Sequence, residues 1–180
     1  VLYYFDGFPL IEINFDGPKL AINLMQRVKI KDYILKNNFA TTTWEIKDGE
    51  KPEDVANKYY RNSYYHWLVL LSAQIIDIYN DWPKESRSLD RIIDDKYKKD
   101  NKPGLEIAKR TNHHYEDSFG AWVSYEQFQS LPFSERKEIT IYDFLIDENE
   151  KKKSIVLVDK RFAAEIKNQL MSILNENILT

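Results

Sequence analysis

Apolar positions along the 180-residue chain recur with two different periods, and the changes of period mark its elements. Over residues 1–39, short apolar runs are cut by Gly7-Phe8-Pro9 and Asp16-Gly17-Pro18, which force turns. Leu20, Ile22, Leu24, Val28 and Ile30 mostly alternate, which predicts an extended arm rather than a helix. A β-prone stretch, Thr41-Thr42-Thr43-Trp44-Glu45-Ile46, leads into the polar turn Lys47-Asp48-Gly49-Glu50. Pro52 suits the first position of a helix, with Glu53 and Asp54 where the helix dipole favours negative charge, although Lys51 is a poor N-cap. Val55, Ala56, Tyr59 and Tyr60 give this helix one buried face. Asn62 then caps a second helix, in which Tyr64, Trp67, Leu68, Leu71 and Ile75 form a single stripe.

Asp81-Trp82-Pro83 ends this compact stretch, because a residue before proline is pushed out of helical geometry. Leu89, Ile92, Ile93 and Tyr97 mark a short amphipathic helix in the charged segment that follows. Residues 103–137 mix their signals and scatter aromatic residues at Tyr115, Phe119, Trp122, Tyr125, Phe128 and Phe133, so an irregular insertion is predicted. Thr140-Ile141-Tyr142-Asp143 has the spacing of a capping box and opens a helix to about Lys151; the alternation from Ile139 to Leu145 equally permits a strand. Ser154-Ile155-Val156-Leu157-Val158 reads as a buried strand. Asp159 caps a last helix whose Phe162, Ile166, Leu170, Ile173 and Leu174 stack on one side.

Composition narrows the function. A chain of 21.5 kDa is one domain, or one with an embellishment, and buries a core unaided. Lys and Arg number 26 against 29 Asp and Glu, spread along the chain, so no surface for nucleic acid is expected. With no cysteine, zinc-thiolate sites, thiol nucleophiles and disulfides are excluded together. No apolar run approaches the roughly 20 residues that cross a bilayer. The opening residues lack a basic leader and place Asp6, Gly7 and Pro9 where an export signal is apolar, so synthesis in the cytosol is expected. Twelve tyrosines, each with an apolar body and a polar tip, suit surfaces that are packed and partly wet.

Candidate chemistry is sparse. His113-His114, with Glu116 nearby, is the most metal-like group, but neighbouring side chains diverge on a regular strand or helix, which points to a structural or interface role. His66, among Tyr64, Tyr65 and Trp67, reads as a capped or surface histidine. Asp94-Asp95 and Glu148 with Glu150 read as solvated charge unless a cleft opposes them. Lys151-Lys152-Lys153 follows the acidic run Asp147-Glu148-Asn149-Glu150, so local pairing is expected there. Tyr59-Tyr60 and Tyr64-Tyr65 suggest sugar stacking, yet half of these rings must face the core if both helices form. Five scattered glycines make neither a nucleophile elbow nor a phosphate or dinucleotide loop, and no cofactor or metal is expected.

The run from Trp44-Glu45-Ile46-Lys47-Asp48-Gly49-Glu50-Lys51-Pro52 through Val55-Ala56 to Tyr59-Tyr60 resembles a LysM module. Extended through Asn62-Ser63-Tyr64-Tyr65-His66-Trp67-Leu68 to Asp81-Trp82-Pro83, it is similar to the LysM-domain-containing baseplate wedge subunit of contractile-tailed bacteriophages. Tyr3-Tyr4-Phe5-Asp6-Gly7-Phe8-Pro9, Arg27-Val28-Lys29-Ile30 and Glu148-Asn149-Glu150-Lys151-Lys152-Lys153-Ser154-Ile155 extend the resemblance over most of the chain. Lys51 stands where LysM modules carry a capping threonine, and Ala73-Gln74 stand near their usual asparagine. Both departures lie in the glycan-holding loops.

This resemblance implies an α+β fold with a LysM-like βααβ core. The expected organisation is an N-terminal arm over residues 1–39, a core over 40–83 completed by a strand at 154–158, an insertion over 84–150 and a C-terminal helix over 159–180. Pairing strands across roughly a hundred residues costs only a few kcal/mol more loop entropy than a tight turn. The core residues carried by the resemblance are Trp44, Ile46, Gly49, Pro52, Val55, Ala56, Tyr60, Trp67, Leu68 and Leu71. Expected contact residues are Tyr3, Tyr4, Phe5, Phe8 and Pro9 in the arm, with Trp122 and Tyr125 in the insertion. The function implied is a non-enzymatic virion component that joins other baseplate wedge proteins and tail components, without nucleic acid, membrane insertion or glycan. The alternative is a LysM module that binds peptidoglycan or N-acetylglucosamine for a lytic enzyme on another chain. A small hydrolase using Asp or Glu of the insertion is a third reading.

Overall fold

The structure, a computed structural model, describes residues 8–14, 16–23 and 28–176. In chain order the elements are β1 (Leu10–Asn14), β2 (Pro18–Ile22), α1 (Asp32–Leu35), β3 (Thr41–Glu45), α2 (Pro52–Tyr60), α3 (His66–Ser72) and α4 (Ile78–Asp81). They continue with α5 (Ser86–Tyr97), α6 (Gly104–Arg110), β4 (Asn112–Glu116), β5 (Trp122–Val123), α7 (Tyr125–Ser130) and β6 (Lys137–Thr140). The last are α8 (Ile141–Lys151), β7 (Ser154–Val158) and α9 (Ala163–Glu176). This mixture is α+β, and it gathers into two compact units. One draws on residues 1–46, 50–82 and 154–180, the other on 47–49 and 83–153.

In the first unit β3 and β7 pair antiparallel, Thr41 opposite Val158 and Glu45 opposite Ser154, so the pairing expected across the long intervening segment is present. Ile155 and Leu157 alternate onto one face, where they meet Ile46, Val55, Ala56, Val69 and Trp82, while Val156 points outward. A second cluster joins Phe8, Ile30, Trp67, Leu68 and Val158 to Ala163 and Leu170 of α9. Adjacent residues of α3 thus serve both clusters, Leu68 one and Val69 the other.

Helix ends follow local chemistry. The Lys51 side chain has no acceptor to offer as N-cap; instead Asp54 Oδ2 accepts the Lys51 N–H at 3.0 Å. Asn62 Oδ1 accepts the Tyr64 N–H at 3.0 Å and opens a 3₁₀ turn, Ser63–Tyr65, ahead of α3. The predicted second helix therefore begins as 3₁₀, and it stops at Ser72, short of Ile75. Gln74 turns left-handed (φ 58°), and the Ile75 and Gln74 N–H groups bond the Leu70 and Leu71 carbonyls at 2.9 and 3.2 Å, a Schellman ending. Asp159 Oδ1 accepts the Arg161 N–H at 2.8 Å in a 3₁₀ turn, Lys160–Phe162, ahead of α9.

The arm is structured too. β1 and β2 form a hairpin with Leu10 opposite Ile22 and Asn14 opposite Pro18, and α1 follows it. Leu24 lies outside the described residues.

The second unit corrects the expectation of an irregular segment over 103–137. Two helices, α6 and α7, and a three-stranded sheet ordered β5-β4-β6 occupy it. Leu89, Ile93 and Ala108 form its buried centre, with Ile141, Leu145 and Ile146 of α8 packed around it. The ambiguity at 139–145 resolves into both forms in succession. β6 ends at Thr140, whose Oγ1 accepts the Asp143 N–H at 3.1 Å while Asp143 Oδ2 accepts the Thr140 N–H at 3.3 Å. Gly104 lets α6 start against the end of α5; a Cβ there would stand 2.0 Å from the Asp94 carbonyl oxygen.

Candidate interface surfaces

In the second unit, chemistry gathers on one face of the small sheet. His114 and Glu116, two residues apart on β4, share this face with Trp122, which stands opposite Glu116 on β5. His114 stacks on Trp122 with centroids 4.0 Å apart, and His113 stacks on Phe144 of α8 at 4.0 Å. The expected divergence of the two histidines fails for a local reason. The β4–β6 register shifts between Asn112 and His114, and such a bulge lets consecutive side chains fall on one side. Their Nδ1 atoms meet at 2.8 Å.

His114 Nε2 lies 3.0 Å from Glu116 Oε1, so in the neutral ring Nε2–H donates to the carboxylate and Nδ1 accepts from His113. Lys137 Nζ holds the other Glu116 oxygen at 3.2 Å. The bond from His114, with that from Lys137, keeps the Glu116 carboxyl below its ordinary value of 4.5 despite some burial. Among the described residues no group of three or more histidine or acidic side chains forms a metal site. An open cleft of about 590 Å³ lies beside the stack, with His114, Glu116, Trp122, Lys137 and Phe144 on its walls. Several of the charges around it are paired: Lys151 bridges Asp147 at 2.7 Å and Glu148 at 3.0 Å. Lys153 pairs with Glu150, so two lysines of the basic triplet pair locally as expected. Asp94 is not merely solvated charge, since its Oδ1 accepts the Leu105 N–H at 2.9 Å at the start of α6.

Trp122 and Tyr125, expected as joint contact residues, lie against opposite faces of the sheet. Tyr125 packs on Tyr115 at 5.5 Å, and Tyr115 alternates away from His114 and Glu116. Trp122 keeps 65% of its surface exposed. Two more rings of this unit, outside the expected contact set, stand in the open: Phe119, 94% exposed at the β4–β5 turn, and Phe133, 89% exposed after α7. Their signal was present, aromatic residues beside Gly120 and Pro132 with no periodic partner.

Elsewhere the expected residues take other places. Tyr3, Tyr4 and Phe5 lie outside the described residues. Phe8 is 5% exposed and, like Pro9, buried. The Phe8 ring is spent on the chain's own core beside Trp67 and Leu170, so as described it presents no surface to a partner.

The ten core positions carried by the resemblance all lie in or beside β3, α2 and α3. Ile46, Pro52, Val55, Ala56, Trp67 and Leu68 are buried, Trp44, Tyr60 and Leu71 are partly covered, and Gly49 turns with φ 74°. Trp44, Tyr59, Tyr60, Tyr65 and Trp67 make a chain of ring contacts at 5.9, 4.8, 5.6 and 6.2 Å. Of the four helix tyrosines only Tyr64 is exposed. Tyr60 Oη donates to the Val158 carbonyl at 2.8 Å, and burial pushes its phenol far above the ordinary 10.0. His66 is half-buried, with Nδ1 3.2 Å from the Ser63 carbonyl, as a capped histidine should be.

Fold and surface together define an α+β protein whose distinctive outward features are apolar and aromatic. Residues 5–126 match the family model described as base plate wedge protein 53, and the chain belongs to that family. It is 23% identical over 183 residues to the baseplate wedge protein gp53 of Enterobacteria phage T4, a similarity that covers 92% of this chain and 90% of that relative.

Proposed function

We propose that this chain is a structural component of the baseplate wedge of a contractile bacteriophage tail, where it joins neighbouring wedge proteins through protein–protein contacts. The observation that carries this reading is the family match over residues 5–126. Its work is geometric and not catalytic. The twin clusters around β7 hold a firm body, while exposed rings, Trp122 and Tyr125 with Phe119 and Phe133, supply contact area on the second unit. Aromatic anchors of this kind carry much of the energy of protein interfaces.

The order strand, helix, helix, strand, with β3 antiparallel to β7, supports a LysM-like reading of the core. In that reading the core is a mounting and not a sugar reader. The Lys51 side chain offers no acceptor at the start of α2, and Gln74 occupies the left-handed position after α3. The organisation that goes with it is an arm, a core closed by the late strand, an insertion and a C-terminal helix. The product is made in the host cytoplasm and resides in the tail, with wedge and tail proteins as partners and neither nucleic acid nor membrane among them.

The test combines the purified full-length chain with wedge intermediates taken from infected cells that lack its product. Sedimentation should show the chain entering those particles. A parallel titration with chitin oligomers and a pull-down on cell wall should show no saturable binding. Failure to enter the particles, together with saturable micromolar glycan binding, would replace this reading with the peptidoglycan-binding one.

A further inference from the structure

The β1–β2 hairpin is apolar on both of its faces. Strand register places Leu10, Glu12, Leu20 and Ile22 on one side, and Ile11, Ile13, Lys19 and Ala21 on the other. All of these except Ala21 are exposed, Leu20 at 73%. A sheet covered on one side alternates apolar with polar; one apolar on both sides is built to be covered twice. A lone two-stranded hairpin is also marginal in water. Each face carries a single charge, Glu12 on the first and Lys19 on the second, and neither has an ion-pair partner among the described residues.

These features decide what covers it. A second copy pairing edge to edge extends the sheet but leaves both faces wet. A second copy stacked symmetrically covers one face and leaves the other bare. Stacking unlike faces matches the charges, but it covers both faces only by repeating head to tail, into a ring or a filament of this chain. A strand of five residues is only about 17 Å long, too little for the ~800 Å² per partner of a standard interface unless both faces are used.

Resting on the wedge reading above, we infer that the hairpin is a tongue inserted into a two-walled apolar slot of a different wedge protein. The wall over Leu10, Leu20 and Ile22 carries a lysine or arginine facing Glu12, and the wall over Ile11 and Ile13 carries an aspartate or glutamate facing Lys19. The tongue anchors an interface that the exposed rings extend.

The experiment uses the full-length chain and the same wedge intermediates, comparing wild type with Leu20→Asp on one face and Ile13→Asp on the other. Each variant should lower the affinity for the particles about tenfold or more, as loss of one buried aliphatic anchor requires, with its melting temperature unchanged. Glu12→Lys and Lys19→Glu, which touch no packing, should each weaken entry several-fold in low salt. They keep the test decisive if an aspartate variant fails to fold. Wild-type affinity in either pair of face variants overturns the two-walled slot while leaving the wedge reading intact. Self-association of the wild type that these substitutions abolish overturns it in favour of a second copy. Failure of the wild type itself to enter overturns both.

Discussion

Leu157 has no exposed surface and sits where β7 meets α2 and α3. Leu157→Ala should therefore cost about 2–5 kcal/mol, read from urea unfolding of the full chain, because a packed site collapses only partly around a lost side chain. Glu116 gives a pH signature. Its carboxyl is held below 4.5 in the folded chain by His114 and Lys137, so its stabilising contribution is complete above that value and fades as pH falls through the folded value. Melting followed from about pH 6 to about pH 3 should show a shallower acid loss in Glu116→Gln than in wild type. Equal slopes would show that these contacts do not bias the carboxylate. Much at this scale was legible: Pro52 opening a helix, the Thr140–Asp143 box and a capping Asn62 are local chemistry written in adjacent residues. The meeting of His113 and His114 was not, because it depends on a bulge that no spacing in the sequence records.

Elements were legible where one period persists. β7 is a run of β-branched and aliphatic residues, and α5 carries Leu89 and Ile93 at helical spacing, so both stood out. The sheet of the second unit did not, for physical reasons. β5 has only two residues, β4 is built from asparagine, histidine, tyrosine and glutamate, and its alternation is interrupted. Their stability comes from tertiary packing, and propensity gave no warning of it. Ile75 failed as a helix residue because Gln74 turns the chain first, a conformation more often given to glycine or asparagine. The α5–α6 approach is also invisible until the two helices are placed together. Gly104→Ala forces a methyl into the Asp94 carbonyl and the Lys98 amide, and should destabilise the second unit by about 1–3 kcal/mol. Hydrogen exchange should localise the loss to residues 86–110, with the β3–β7 pair protected as before.

At the scale of the whole molecule, function was legible through the long similarity from Trp44 to Pro83 and beyond, not through any reactive constellation. The tongue at β1–β2 was hidden because alternation in a short arm says that a strand exists, not that both of its faces stay bare. Trp122 tests the contact surface on the other unit. Trp122→Ala should weaken entry into wedge intermediates about tenfold or more, the usual loss at an aromatic anchor, with little change in melting because most of the ring is already exposed. Cryo-electron microscopy of intact tails of the phage that encodes this chain addresses the central claim most directly. The account predicts density for the β3–α2–α3–β7 body within the baseplate, with the hairpin and Trp122 covered by neighbouring chains. A complete baseplate in which no density fits this fold, or one that leaves those surfaces bare, would contradict it.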